Sequence, residues 1–143
     1  MSTSTTSLDS TAAPTALRLP RLLAAAGAAA ALNLVALGIG SAADASMIVN
    51  DPTPTEVGVA ATLGATLGPL LVAGLVLWLI AKRSPRIRVW AGWAGAVLAF
   101  ATVASPFFAA DDLTTAFTLA SMHIVGGLAW LAATRPWDKP ATR

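Results

Sequence analysis

Val57–Ala81, VGVAATLGATLGPLLVAGLVLWLIA, runs for 25 residues without a Lys, Arg, Asp or Glu. At about 1.5 Å of helical rise per residue it can cross the roughly 30 Å hydrocarbon core of a bilayer. Lipid offers no hydrogen bonds to a bare backbone, so a spanning stretch of this kind must be helical. It has no polar face wide enough to meet water, which argues against a buried helix of a soluble core.

Three further segments read the same way: Leu22–Ala43, Val89–Phe108 and Leu113–Ala133, none with a Lys, Arg, Asp or Glu. The fold class is therefore an all-α, integral membrane four-helix bundle. Composition agrees. The chain has 143 residues, is 56% hydrophobic and 11% charged, and has a mean hydropathy of +0.71. Soluble domains carry about 25% charged residues. The connections are short: basic Lys82–Arg88 (KRSPRIR), acidic Ala109–Asp112, and a longer loop, Asp44–Glu56, broken by Pro52 and Pro54. Residues 1–20, nine of them Ser or Thr, read as a disordered tail. A membrane domain over 21–134 follows, then a short basic tail over 135–143.

Charge sets the expected orientation. All nine Lys and Arg residues fall on one side of four alternating passes, in short loops or tails. The positive-inside rule then places both termini in the cytoplasm of a cell-membrane protein. Five of the seven acids (Asp44, Asp51, Glu56, Asp111, Asp112) fall on the other side. The five tryptophans map to the basic end, as interfacial anchors do. A competing expectation reads Arg18 and Arg21, the first apolar run and Ser41-Ala42-Ala43 as a cleavable signal. The length of that run and Asn33 within it favour a retained helix. The basic turn Lys82–Arg88 is expected to lie against anionic headgroups.

His123 is the only ionisable side chain within the four segments, and such residues are functional candidates by default. Helical rise puts it at a depth comparable to Asn33, Thr62, Thr66 and Thr102, with Thr118 and Ser121 slightly nearer the acidic end. These residues form a candidate polar layer in one half of the bundle, with Asp111 and Asp112 at its mouth. Two interpretations stay open. The layer binds a proton or ligand, or His123 hydrogen-bonds Asn33 or a Thr and holds helices together. Pro69, in the middle of the second segment, removes a donor to the Ala65 carbonyl and is a candidate hinge or packing bend. Small-residue ridges (Ala60, Gly64, Gly68; Ala91, Gly95, Ala99) allow close helix approach, within the monomer or between copies.

Enzyme chemistry finds no template. There is no cysteine, no HExxH, no P-loop and no GxGxxG. The five acids lack the spacing of a calcium loop. No catalytic residue, metal ligand or cofactor is assigned. Nucleic acid is not an expected partner, because no water-exposed domain carries the bases.

Several features together resemble a family of bacterial four-transmembrane proteins, common in high-GC Gram-positive species and catalogued as a domain of unknown function. They are the lead-in Arg18–Arg21, the Ala-rich first helix with Asn33, the Pro-containing Asp51–Thr55, the linker Lys82–Arg88 and Leu119–Val125 (LASMHIV) in the last helix. The resemblance implies an integral membrane protein with both termini inside, and no particular activity. The expected function is a non-enzymatic partner or accessory subunit acting through helix contacts with a membrane protein or a second copy. The alternative is a small transporter or permeation unit using the layer around His123 and Asn33.

Overall fold

The structure, a computed structural model, describes residues 17–138. Most of the Ser/Thr-rich tail and residues 139–143 of the basic tail lie outside the described residues. Helix α1 spans Leu19–Ala42, α2 Val59–Ala81, α3 Pro85–Ala101 and α5 Leu113–Thr134. The first helix thus begins inside the stretch read as tail, with Pro20 in its first turn, where its missing N–H costs nothing.

The third apolar segment is not one continuous helix. After α3 comes a 3-10 turn, Thr102–Ala104, then a short helix α4, Pro106–Ala109. The cause is Pro106, which has no N–H for the Thr102 carbonyl. That oxygen accepts instead from the Ser105 backbone N–H at 3.0 Å and the Ser105 hydroxyl at 2.9 Å. Together the two helical pieces are long and apolar enough to cross a membrane, as are α1, α2 and α5.

The loop Asp44–Glu56 is more ordered than its prolines predict. Ile48–Asn50 (β1) pairs antiparallel with Pro54–Glu56 (β2), in the register Ile48↔Glu56. Val49 also bridges Ala110, and the Asp111 N–H donates to the Ile48 carbonyl at 3.0 Å. Pro54 is tolerated because it sits on the outer edge of this hairpin. The hairpin therefore caps the acidic end of the bundle.

Helix α1 packs against α2 and α5, and α5 packs against α3, whereas α2 and α3 touch over a much smaller area. Spacing explains the inner faces. Leu22, Ala26, Ala29, Ala30, Asn33, Leu37 and Gly40 are buried along α1 at intervals of three and four. Outward positions such as Ile39, Val72, Val97 and Phe108 are exposed apolar side chains, as lipid-facing surface requires. Close approach comes from small residues, since lipid provides no hydrophobic drive between helices. Leu22 sits on Gly74, and the Trp130 ring lies on Gly95.

The outward ridge of α2 differs. Ala60, Gly64 and Gly68 are exposed, and a Cβ added at either glycine would meet nothing within 4 Å. That ridge does not serve packing within the monomer, whereas the corresponding ridge of α3 does.

Candidate functional site

A cavity of about 420 Å³ lies where α2 and α3 fail to close. Its walls explain it. The facing residues are Ala65, Pro69 and Ala73 on α2, Gly95 and Ala99 on α3, and Gly126 on α5. These side chains are too small to fill the gap. Ala65, Pro69, Ala73 and Leu98 are also exposed, so the cavity opens sideways onto the lipid-facing surface. Its volume falls within the roughly 300–1,000 Å³ of small-molecule pockets.

Asn33, Thr66, Thr102 and His123, one from each of the four spans, all line this cavity, with Thr62 and Pro69. The amide Nδ2 of Asn33 donates to Thr66 Oγ1 at 2.8 Å, joining α1 to α2 in a buried bond. The other amide atom, Asn33 Oδ1, is buried with no hydrogen-bond partner among the described residues, and so is Thr62 Oγ1. Both residues are 3% exposed. An unsatisfied buried polar group costs roughly 1–3 kcal/mol, so two at one cavity form a feature in need of a cause.

His123 does not bond Asn33 or a threonine. Its Nδ1 lies 2.9 Å from the Leu119 carbonyl of its own helix. A carbonyl only accepts, so Nδ1 carries a hydrogen, and in the neutral form of the ring Nε2 is then the acceptor. Thr102 donates to the Ala99 carbonyl at 2.8 Å and retains its lone pairs. Pro69 removes the intrahelical donor from the Ala65 carbonyl, another lining residue. Acceptors thus outnumber the free donors, which among the described residues include the Thr62 and Thr66 hydroxyls.

They are also unevenly spread. Thr62, Asn33, Thr66, Thr102 and His123 occupy the half toward the acidic end, and Leu70, Ala73, Gly95, Gly126 and Trp130 the deeper half. On α2 the lining runs from Thr62 to Ala73, about 16 Å of helical rise. The cavity is elongated and amphipathic. His123 is the only ionisable residue among its lining residues.

Four expectations are corrected. Thr118 and Ser121 do not join the layer; their hydroxyls donate to the Thr114 and Thr118 carbonyls, each at 2.7 Å. Asp111 and Asp112 do not form its mouth. Asp112 caps α5 instead, accepting from Thr115 N–H at 2.7 Å, Thr115 Oγ1 at 2.7 Å, Ser46 Oγ at 2.6 Å and Ser46 N–H at 3.0 Å. The Ser46 and Thr115 bonds hold its carboxyl well below the usual carboxylate range. Trp130 is not an interfacial anchor. It is buried, and its Nε1 donates to the Gly92 carbonyl at 3.0 Å. Finally, Arg88 does not face headgroups. It is 3% exposed and donates to the carbonyls of Thr134, Arg135 and Asp138 at 2.6–2.7 Å. No periodicity signals that role, since its partners are backbone atoms 46 to 50 residues away.

Among the described residues, no three His, Asp or Glu side chains gather as a metal site would need. No curated protein and no solved structure matches the chain. A family model matches residues 12–137, covering all four spans and every residue of the cavity, and with that match this four-span membrane protein belongs to a family of unknown function (DUF6069).

Proposed function

We propose that the chain is a small binding and permeation unit of the cell membrane, admitting an uncharged molecule from the bilayer into the cavity between α2 and α3. One observation carries this: a polar residue from each of the four spans lines one side-opening cavity. The protein is not an enzyme on this proposal. No carboxylate lines the cavity to orient His123 as a general base.

The test uses purified protein in nanodiscs and tritiated 2-methoxynaphthalene as a neutral lipophilic probe. Saturable binding above that of protein-free nanodiscs is expected. Gly126→Leu fills the cavity from a position where an added Cβ meets nothing within 4 Å, and should abolish it. Binding unaffected by Gly126→Leu would remove the cavity from the function.

Orientation is part of the proposal. Both termini are cytoplasmic, because the bases at Arg18, Arg21, Lys82, Arg83, Arg86 and Arg135 share one end. The chain has no cysteine, so single cysteines at Thr53 and Arg83 report sidedness cleanly. A membrane-impermeant maleimide added to whole cells should label Thr53→Cys and spare Arg83→Cys.

A second reading, an accessory subunit, is favoured by the outward ridge Ala60–Gly64–Gly68, whose close-packing surface has no use within the monomer. Under it, Gly64→Leu with Gly68→Leu would abolish an oligomer or complex seen by mild-detergent crosslinking. Cavity binding would persist.

A further inference from the structure

We infer that the cavity is built for a hydrogen-bond donor: an uncharged alcohol or phenol dissolved in the bilayer, lying with its hydroxyl toward the acidic end. The inference rests on the cavity being a binding site and adds the chemistry of its ligand.

The polar inventory selects the class. Asn33 Oδ1 and Thr62 Oγ1 are both more than nine-tenths buried and unpartnered among the described residues. The Ala65 carbonyl has lost its helical donor to Pro69, and His123 in its neutral form offers Nε2 as a further acceptor. A ligand hydroxyl donates to such acceptors, to Asn33 Oδ1 and Thr62 Oγ1 once those side chains turn toward the cavity, and relieves their unmet demand. A ligand that only accepts, such as an ether or ketone, can take the Thr62 hydroxyl hydrogen but leaves Asn33 Oδ1 and the Ala65 carbonyl unmet.

The same lining excludes charge. No carboxylate lines the cavity, so a buried ammonium would stand uncompensated. No Lys or Arg lines it either, so an anion would face acceptors without a counter-charge. The deeper half, from Leu70 to Trp130, offers only apolar wall beside a tryptophan whose N–H is already committed to Gly92. That half takes the apolar body. The rim of small and apolar residues, Ala65, Ala73 and Leu98, sets the route of entry from the lipid side rather than from water.

The experiment compares tritiated 2-naphthol with tritiated 2-methoxynaphthalene on the whole protein in nanodiscs. The two differ in size by one methyl group, and only the first donates. One added hydrogen bond to an orphaned acceptor should favour 2-naphthol by about tenfold in Kd. Thr62→Val is nearly isosteric and removes a hydroxyl that no described residue uses, so folding should survive it. The preference should fall toward unity in Thr62→Val or in Asn33→Leu, and Thr62→Ser should retain it. Competition by 1-dodecanol in one arm and 4-tert-butylphenol in another then assigns an aliphatic or an aromatic source for the donor.

Equal or reversed affinity for the two probes overturns the donor inference and leaves the cavity reading standing. A preference unchanged in both Thr62→Val and Asn33→Leu also overturns it. Saturable binding of neither probe overturns the cavity reading and this inference together.

Discussion

Arg88, one turn into α3, closes the end of α5: its Nη1 donates to the Thr134 carbonyl at 2.6 Å. The same nitrogen reaches the Arg135 carbonyl at 2.6 Å, and Nη2 the Asp138 carbonyl at 2.7 Å. The last carbonyls of a helix have no intrahelical partner and carry its negative dipole end. A planar guanidinium supplies several donors at once where an ammonium cannot. A residue whose charge marks the basic end thus also ties the third span to the fourth.

Removing that group should be costly. Arg88→Ala leaves three carbonyls without their donor and is expected to destabilise the protein by about 3–6 kcal/mol, at roughly 1–2 kcal/mol for each bond lost. Arg88→Lys should recover part of this. Unfolding in sodium dodecyl sulfate, followed by circular dichroism, measures the order wild type, Lys, Ala; equal stability of all three would show the cap to be idle.

The cap at the opposite end makes stability depend on pH. Asp112 is held ionised in the fold by Ser46 and Thr115. Its folded pKa lies below its unfolded value of about 3.9. The stability it contributes is therefore complete above that unfolded value and is lost as pH falls from about 4 through the folded pKa. Melting temperatures measured in detergent from pH 6 to pH 2.5 should drop below pH 4, and Asp112→Asn should be flatter over that window. Parallel curves for the two proteins would contradict the assignment.

Glycine positions should divide by what faces them. A Cβ at Gly95 would collide with the Trp130 indole, whose ring cannot flex away, so Gly95→Ala is expected to destabilise by about 1–3 kcal/mol. At Gly64 nothing lies within 4 Å, so Gly64→Ala should be neutral or, from helix propensity, stabilising by up to about 1 kcal/mol. Thermal melts of the two variants test the packing of α3 on α5 without touching an ionisable group.

The Asn33–Thr66 bond should be measurable as a coupling. Asn33→Ala and Thr66→Val each break the one side-chain hydrogen bond described between α1 and α2. Interhelical bonds of this type contribute about 0.6–2 kcal/mol in membranes. A double-mutant cycle should return a coupling of that order; strict additivity would mean that the pair is not engaged.

The hydrogen bonds behind these predictions were legible in the sequence to very different degrees. Asn33, Thr66, Thr102 and His123 share a depth because helical rise is regular, so counting residues from a segment end locates them. Counting does not say which helices adjoin. His123 turned to Leu119, four residues back along its own helix, because a carbonyl one turn away needs no neighbouring helix to reach it. Trp130 and Arg88 each carry a type of side chain common at membrane boundaries, yet both are buried on backbone carbonyls of a neighbouring helix. Composition cannot separate those two fates.

The four spans, their helicity and the gathering of bases at one end were settled by the sequence alone. Each follows from a local quantity: apolar length, the absence of hydrogen-bonding solvent in lipid, and the position of charges between runs. The cavity was decided only by the tertiary structure. It exists because α1 holds α2 and α5 holds α3, while α2 and α3 meet only loosely with Ala65, Pro69, Gly95 and Ala99 between them. Small residues join helices when a partner presses against them, as at Gly74 and Gly95, and leave a hollow when none does, as at Ala65 and Ala73. Which of the two occurs is a property of helix arrangement, and no single segment encodes it.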